Sequence, residues 1–233
     1  IYFPELEISK SMVIDYYQSM ATFILPHLKD RAQSLNRFPN GIDGMSFYQK
    51  DAGDETPNWI PTQEVYSEST DKYIDYLICN DKATMAYLNN LGCIEFNPWT
   101  SKISNLDKPS YLVLDLDPSD NNSFEDVIEV AQAVKLILDQ GRIEGYPKTS
   151  GSTGMHIYIP MNSKYTFDQV KDFGHVLMQM VQLKLPKLTT LERSLQKRDK
   201  NKIYLDYLQN RRGQTLASVQ RLRPKKESTV SVP

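Results

Sequence analysis

Eight residues near the middle of the chain, Tyr111-Leu112-Val113-Leu114-Asp115-Leu116-Asp117-Pro118, restrict the fold more than any others. An apolar run of this length, closed by a proline, reads as a buried strand. Side chains two apart on a strand share a face, so Asp115 and Asp117 project together from its end. Two adjacent ionised carboxylates repel and are expensive to bury unpaired. A divalent cation such as Mg2+ or Mn2+, which prefers hard oxygen ligands, removes that penalty. The pair therefore points to a metal site for phosphate chemistry. Spacing alone leaves a second reading open, in which the carboxylates simply feed the following turn.

Asp206 closes another apolar run, Ile203-Tyr204-Leu205, and adds a third carboxylate at a strand end. Three such groups are the ligand set of a two-metal phosphoryl or nucleotidyl transferase. Asp-x-Asp by itself is also carried by sugar-nucleotide transferases, phosphatases and many loops. The stretch Thr149-Ser150-Gly151-Ser152-Thr153-Gly154-Met155-His156 places hydroxyls, glycines and backbone N–H groups between a loop and a strand. Such a turn can cradle phosphate oxygens, with His156 as a further donor, or it can be a plain hairpin.

Net charge is only −2, yet residues 184–226 hold 13 Lys/Arg against Glu192, Asp199 and Asp206, leaving −12 on the rest. This asymmetry favours a polyanion partner over a uniformly basic binder. Arg193, Lys197, Arg198, Arg211, Arg212, Arg221 and Arg223 carry the charge, and an extended Arg221-Leu222-Arg223 presents two guanidiniums on one face, in the fork geometry that suits phosphates. Phe47, Tyr48, Trp59 and Trp99 are candidate stacking surfaces for template bases, with core packing as the alternative.

Periodicity predicts helices over 8–29 (capped by Ser9 or Ser11, with Met12, Tyr16, Met20 and Phe23 inward), from the Asp81 cap to Leu91, over 124–140 and over 167–183. Strands are expected at 47–50, 73–79, 111–117, 155–160 and 203–207, a turn at 148–154, and a loop-like tail from Pro224. No repeat and no linker divides the chain. No run approaches the roughly 18 apolar residues of a membrane span. No secretory signal is evident, and Cys79 and Cys93 read as two reduced cytosolic thiols. The start at Ile1 leads us to expect a fragment of a larger protein or a stand-alone domain.

With these residues in order, the chain resembles the polymerase domain of bacterial DNA ligase D, in the archaeo-eukaryotic primase superfamily. The segments that carry the resemblance are 25–31, 37–44 (Arg37-Phe38-Pro39-Asn40-Gly41-Ile42-Asp43-Gly44), 47–50, 57–60, 114–118, 149–156, 192–195, 206–210, 221–224 and 229–233. Each is weak alone; the ordered set is specific. The resemblance implies one α/β (mixed α+β) domain over 1–233, a two-lobed primase-polymerase fold with mainly antiparallel sheets flanked by helices around a central cleft. It implies a template-directed nucleotidyltransferase that fills gaps and extends 3′ ends in bacterial non-homologous end joining.

By the same resemblance Asp115, Asp117 and Asp206 would be catalytic and would bind two ions, Mn2+ or Mg2+. Ser150, Gly151, Ser152, Thr153, His156, Lys197, Arg198, Arg221 and Arg223 would hold the NTP or dNTP. Lys10, Arg37, Phe47, Lys50 and Trp99 would meet DNA, with Lys10 and Arg37 near the downstream 5′-phosphate. Partners would be 5′-phosphorylated DNA ends, Ku and an ATP-dependent ligase domain, in a cytoplasmic, nucleoid-associated setting without membrane. Three positions depart from the family pattern: Thr153 and Gln209 stand where Lys and Arg are usual, and Asn97 where His is. The phosphate contact at 153 is then absent or supplied by Lys148 or Lys197. Two rival readings are a non-catalytic DNA-end-binding module that recruits a ligase and a sugar-nucleotide transferase. The latter leaves Asp206 and the basic segment unexplained.

Overall fold

The computed structural model describes residues 1–67 and 70–233. The chain divides into two compact units, one of residues 1–104 with 215–232, the other of residues 105–214 with 233. No Gly/Pro-rich linker marks either crossing, which is why the boundaries leave no trace in composition.

The first unit is built on α1 (Lys10–Leu28), whose N-terminus is capped by Ser9 accepting from the Met12 N–H. Its buried face is Val13, Tyr17, Ala21, Ile24 and Leu28. The expected face, Met12, Tyr16, Met20 and Phe23, lies one residue away, a turn of about 100°. Met12 and Phe23 are exposed, while Tyr16 and Met20 only flank the core. Both stripes are apolar, and the edge-on packing of Tyr17 against Phe96 marks the one that faces inward. Strands β1 (Gln33–Arg37), β2 (Phe47–Gln49), β3 (Thr62–Ser67) and β4 (Lys72–Leu77) follow. Then come α2 (Lys82–Asn90), capped by Asp81 as expected, and β5 (Cys93–Pro98). β2, β1 and β5 form an antiparallel sheet, and β3 pairs with β4 in a hairpin. The tail is more ordered than a loop. Leu222 bridges Val230, and the Arg223 N–H donates to the Thr229 carbonyl.

The second unit carries β6 (Tyr111–Asp117), α3 (Phe124–Gln140), β7 (Tyr146–Thr149), β8 (Met155–Pro160), α4 (Phe167–Lys184), β9 (Thr189–Thr190) and β10 (Ile203–Asp206). The sheet order is β7-β8-β6-β10-β9, antiparallel except for the β9–β10 edge. Ser123 and Thr166 begin α3 and α4 with capping boxes. Leu112, Leu114 and Leu116 of β6 pack with Val127, Val130 and Val134 of α3 and with Val170 and Leu177 of α4. The alternation then turns Val113, Asp115 and Asp117 to the opposite face. The 148–154 turn begins later than expected, because Lys148 and Thr149 belong to β7. This mixed α/β architecture of antiparallel sheets flanked by helices is the fold class the sequence led us to expect. Among the described residues no helix is long and apolar enough to cross a membrane.

Candidate active site

The helix-free face of the second unit's sheet carries one polar row. Asp115 of β6 stands opposite Asp206 of β10 on one side and opposite His156 of β8 on the other. His156 in turn faces Lys148 of β7. Directly opposed residues share a face, so Lys148, His156, Asp115 and Asp206 form a line across four strands. Asp117, two residues past Asp115, joins the same face opposite Tyr204.

Each carboxylate has a protein partner. His156, buried, brings Nε2 to 3.5 Å from Asp115 Oδ1. Asp206 Oδ1 accepts from the Leu208 N–H at 2.7 Å, and its Oδ2 accepts from Gln209 Nε2 at 3.2 Å. Asp117 pairs with Arg198 Nη1 at 3.4 Å. Partial desolvation raises the Asp117 carboxyl above its ordinary pKa; Arg198 opposes this and the Asp206 charge reinforces it. Arg198 is held on every edge. It stacks on the Tyr204 ring at 3.9 Å and donates to the Glu192 and Arg193 carbonyls. Burial, then the Asp206 charge, pushes the Tyr204 hydroxyl up to about 12.

Three carboxylates on adjacent register positions are the donor set that suits Mg2+ or Mn2+. Among the described residues no three His, Cys, Asp or Glu side chains close around a common point. Residue types and register fit an ion. In this structure Asp117 is engaged by Arg198, and Asp206 by Gln209 and the Leu208 N–H.

The Ser150–Gly154 loop is shaped from within. Ser150 Oγ accepts from the Ser152 and Gly154 N–H groups, both at 3.1 Å, and Gly151 takes φ +74°. Those two amides therefore turn inward rather than outward as an anion cradle. Both lone pairs of the Ser150 hydroxyl are used, which leaves its hydrogen as the outward donor. Gly154 lies so close to β6 that a Cβ would run into the Leu116 carbonyl oxygen. Thr153 and Lys197 are exposed, and Lys148 is buried in the row.

The remaining predicted residues lie in the first unit. Arg221 is buried, donates from Nη1 to Asn97 Oδ1 and pairs from Nη2 with Glu95 Oε1 at 3.1 Å. Arg223 Nη1 reaches the same Glu95 oxygen at 3.4 Å, and Asn36 donates to Glu95 Oε2 at 2.7 Å. Asn97, a departure from the family pattern, thus serves as an acceptor for Arg221. Burial raises the Glu95 carboxyl pKa against the pull of Asn36 and Arg223. Lys10 Nζ donates to the Asn90 carbonyl and Arg37 Nε to the Leu91 carbonyl, so both cations meet the C-terminal end of α2. The Arg37 guanidinium lies 5.1 Å from the Phe47 ring, and Phe47, Tyr48 and Lys50 are exposed. Trp99 needs correction as a stacking surface. It is 3% exposed and packs edge-on against Tyr76, so no face is open to a base.

Sequence reasoning missed Glu95, Tyr204 and the place of Lys148 in the row. Only cross-strand register and the fold-back of the tail reveal them.

Residues 9–233 match the family described as LigD, primase-polymerase domain. The chain belongs to the LigD primase-polymerase domain family. A relative in Bacillus subtilis, "Bifunctional non-homologous end joining protein LigD", is 31% identical over 100% of this chain and 37% of its own length. "Multifunctional non-homologous end joining protein LigD" of Pseudomonas aeruginosa is 29% identical over 99% of this chain and 27% of its own. The chain thus spans between about a quarter and little more than a third of these LigD proteins. Its fold matches the solved structure "Polymerase Domain from Mycobacterium tuberculosis Ligase D in complex with DNA" with a TM-score of 0.92 at 24% identity, over 100% of this chain and 83% of that one.

Proposed function

We propose that this LigD polymerase domain is a template-directed nucleotidyltransferase that fills gaps and extends 3′ ends at DNA double-strand breaks. The observation that carries the reading is the row of His156, Asp115 and Asp206, with Asp117 beside it on one face of the sheet. Two divalent ions, Mn2+ or Mg2+, held by Asp115, Asp117 and Asp206 would neutralise the triphosphate and lower the pKa of the primer 3′-hydroxyl. Ser150 donates its hydroxyl hydrogen to a phosphate oxygen, and His156 donates beside it. Lys148, next in the row, supplies the positive charge that Thr153 lacks. Lys197 and Arg198 add ammonium and guanidinium charge for the NTP or dNTP. Phe47, Tyr48 and Lys50 offer a surface for DNA, and Lys10 and Arg37 a site for the 5′-phosphate of the downstream strand. Ku and an ATP-dependent ligase domain are the protein partners.

Extension on a gapped duplex tests this, with and without a downstream 5′-phosphate, comparing NTP with dNTP and Mn2+ with Mg2+. Incorporation stimulated by the phosphate is the expected result. DNA binding without incorporation by the wild type would replace the polymerase with a non-catalytic end-binding module. Incorporation indifferent to the phosphate would remove only the end-joining specialisation.

A further inference from the structure

Beside the polar row lies a pocket of about 330 Å3 with Asp117 and Asp206 on one side and Arg193, Arg198 and Arg211 among its other walls. Arg198 is committed to Asp117, Tyr204 and two carbonyls. Arg193 and Arg211 are not. Both are exposed, and neither forms an ion pair among the described residues. Guanidiniums that line one pocket without an ion-pair partner present planar forks that suit phosphate oxygens. Leu195, 78% exposed and also in the wall, adds an apolar surface of the kind a sugar face can contact.

The position of this pocket says which phosphate. The Ser150–Gly154 loop joins β7 to β8, on one side of β6, whereas Tyr204 and Asp206 put the pocket on β10, on the other side. Two strand spacings of about 4.8 Å separate β8 from β10. Phosphoryl transfer is in-line, so the attacking oxygen and the departing pyrophosphate lie on opposite sides of the reacting phosphorus. A triphosphate held at the Ser150 loop sends its leaving group toward β8 and must be attacked from β10. We propose that Arg193 and Arg211 bind the phosphodiester backbone of the 3′-terminal nucleotides of the strand being extended. The assignment rests on the polymerase reading above. Gln209, two residues from Arg211, lines the same pocket.

The test is Arg193→Gln, Arg211→Gln and the double variant in the full chain, alongside the wild type. Anisotropy of a fluorescent duplex with a recessed 3′ end gives its affinity against KCl concentration. Incorporation at saturating duplex gives the apparent affinity for NTP. Each single variant should weaken duplex binding by roughly three- to tenfold and flatten the log–log salt slope by about 1, the double variant by about 2. NTP affinity should stay within about twofold of wild type. Lower NTP affinity with unchanged duplex binding would assign the pocket to the triphosphate instead. Both affinities unchanged would show that it holds no phosphate. No incorporation by the wild type would overturn the polymerase reading and this assignment with it, a result distinct from either of the others.

Discussion

Asp115 and Asp206 stand directly opposite each other on neighbouring antiparallel strands, β6 and β10. Like charges in that relation are destabilising by up to about 1 kcal/mol. Asp115→Asn or Asp206→Asn should therefore leave metal-free thermal stability equal or slightly higher. Extension should fall by about a thousandfold or more, roughly 4 kcal/mol in the barrier, while DNA binding survives. Melting curves with and without Mn2+ check both halves, because an ion that binds only the folded chain raises the wild-type midpoint and not the variant's. Retained extension in either variant would remove these residues from the reaction.

Gly154→Ala adds a methyl group where the loop meets the Leu116 carbonyl. The obstacle is backbone, so strand β8 or the loop must shift, at about 1–3 kcal/mol. Urea unfolding should register that loss. Because the displaced segment carries Ser150 and precedes His156, the KM for NTP should rise more than kcat falls.

Glu95→Gln removes the one carboxylate that Arg221 and Arg223 share. Two guanidiniums, one of them fully buried, then lack compensation, and loss of one partner from a buried pair costs about 3–5 kcal/mol. Chemical denaturation is the measurement. A change below about 1 kcal/mol would show that the arginines find other partners.

Cys79 and Cys93 are both buried, and burial pushes both thiols far above their usual range. Thiolate is the reactive form, so neither should react with Ellman's reagent in the native protein at pH 8. Both should titrate once the chain is unfolded in guanidinium. Rapid native reaction of either would contradict the packing around α2 and β5.

Two helix starts were legible from a side chain that reaches its own backbone. Ser9 and Asp81 cap α1 and α2 as expected; Ser123 and Thr166 cap α3 and α4 without having been singled out. The inward face of α3 was legible too: Val127, Val130 and Val134 recur at helical spacing and are buried. The face of α1 was not, because Met12, Tyr16, Met20 and Phe23 make a second apolar stripe one residue from the buried one. Strands β1, β3 and β9 escaped because polar residues such as Gln33, Asn36 and Gln63 interrupt their alternation. For β1 the pairing is settled by β5, about sixty residues further along the chain.

That Asp115 and Asp117 share a face, that Asp206 ends a strand, and that positive charge is in excess over residues 184–226 could all be read before any folding was considered. Those properties follow from alternation and composition, which act between near neighbours. Tertiary structure alone decided that Asp115 lies between Asp206 and His156, that Arg198 closes on Asp117, and that Arg221 is sealed against Glu95. Register is a long-range choice, made when Leu112, Leu114 and Leu116 bury themselves under α3 and α4. A slip of one residue would have turned every carboxylate of that row into the core.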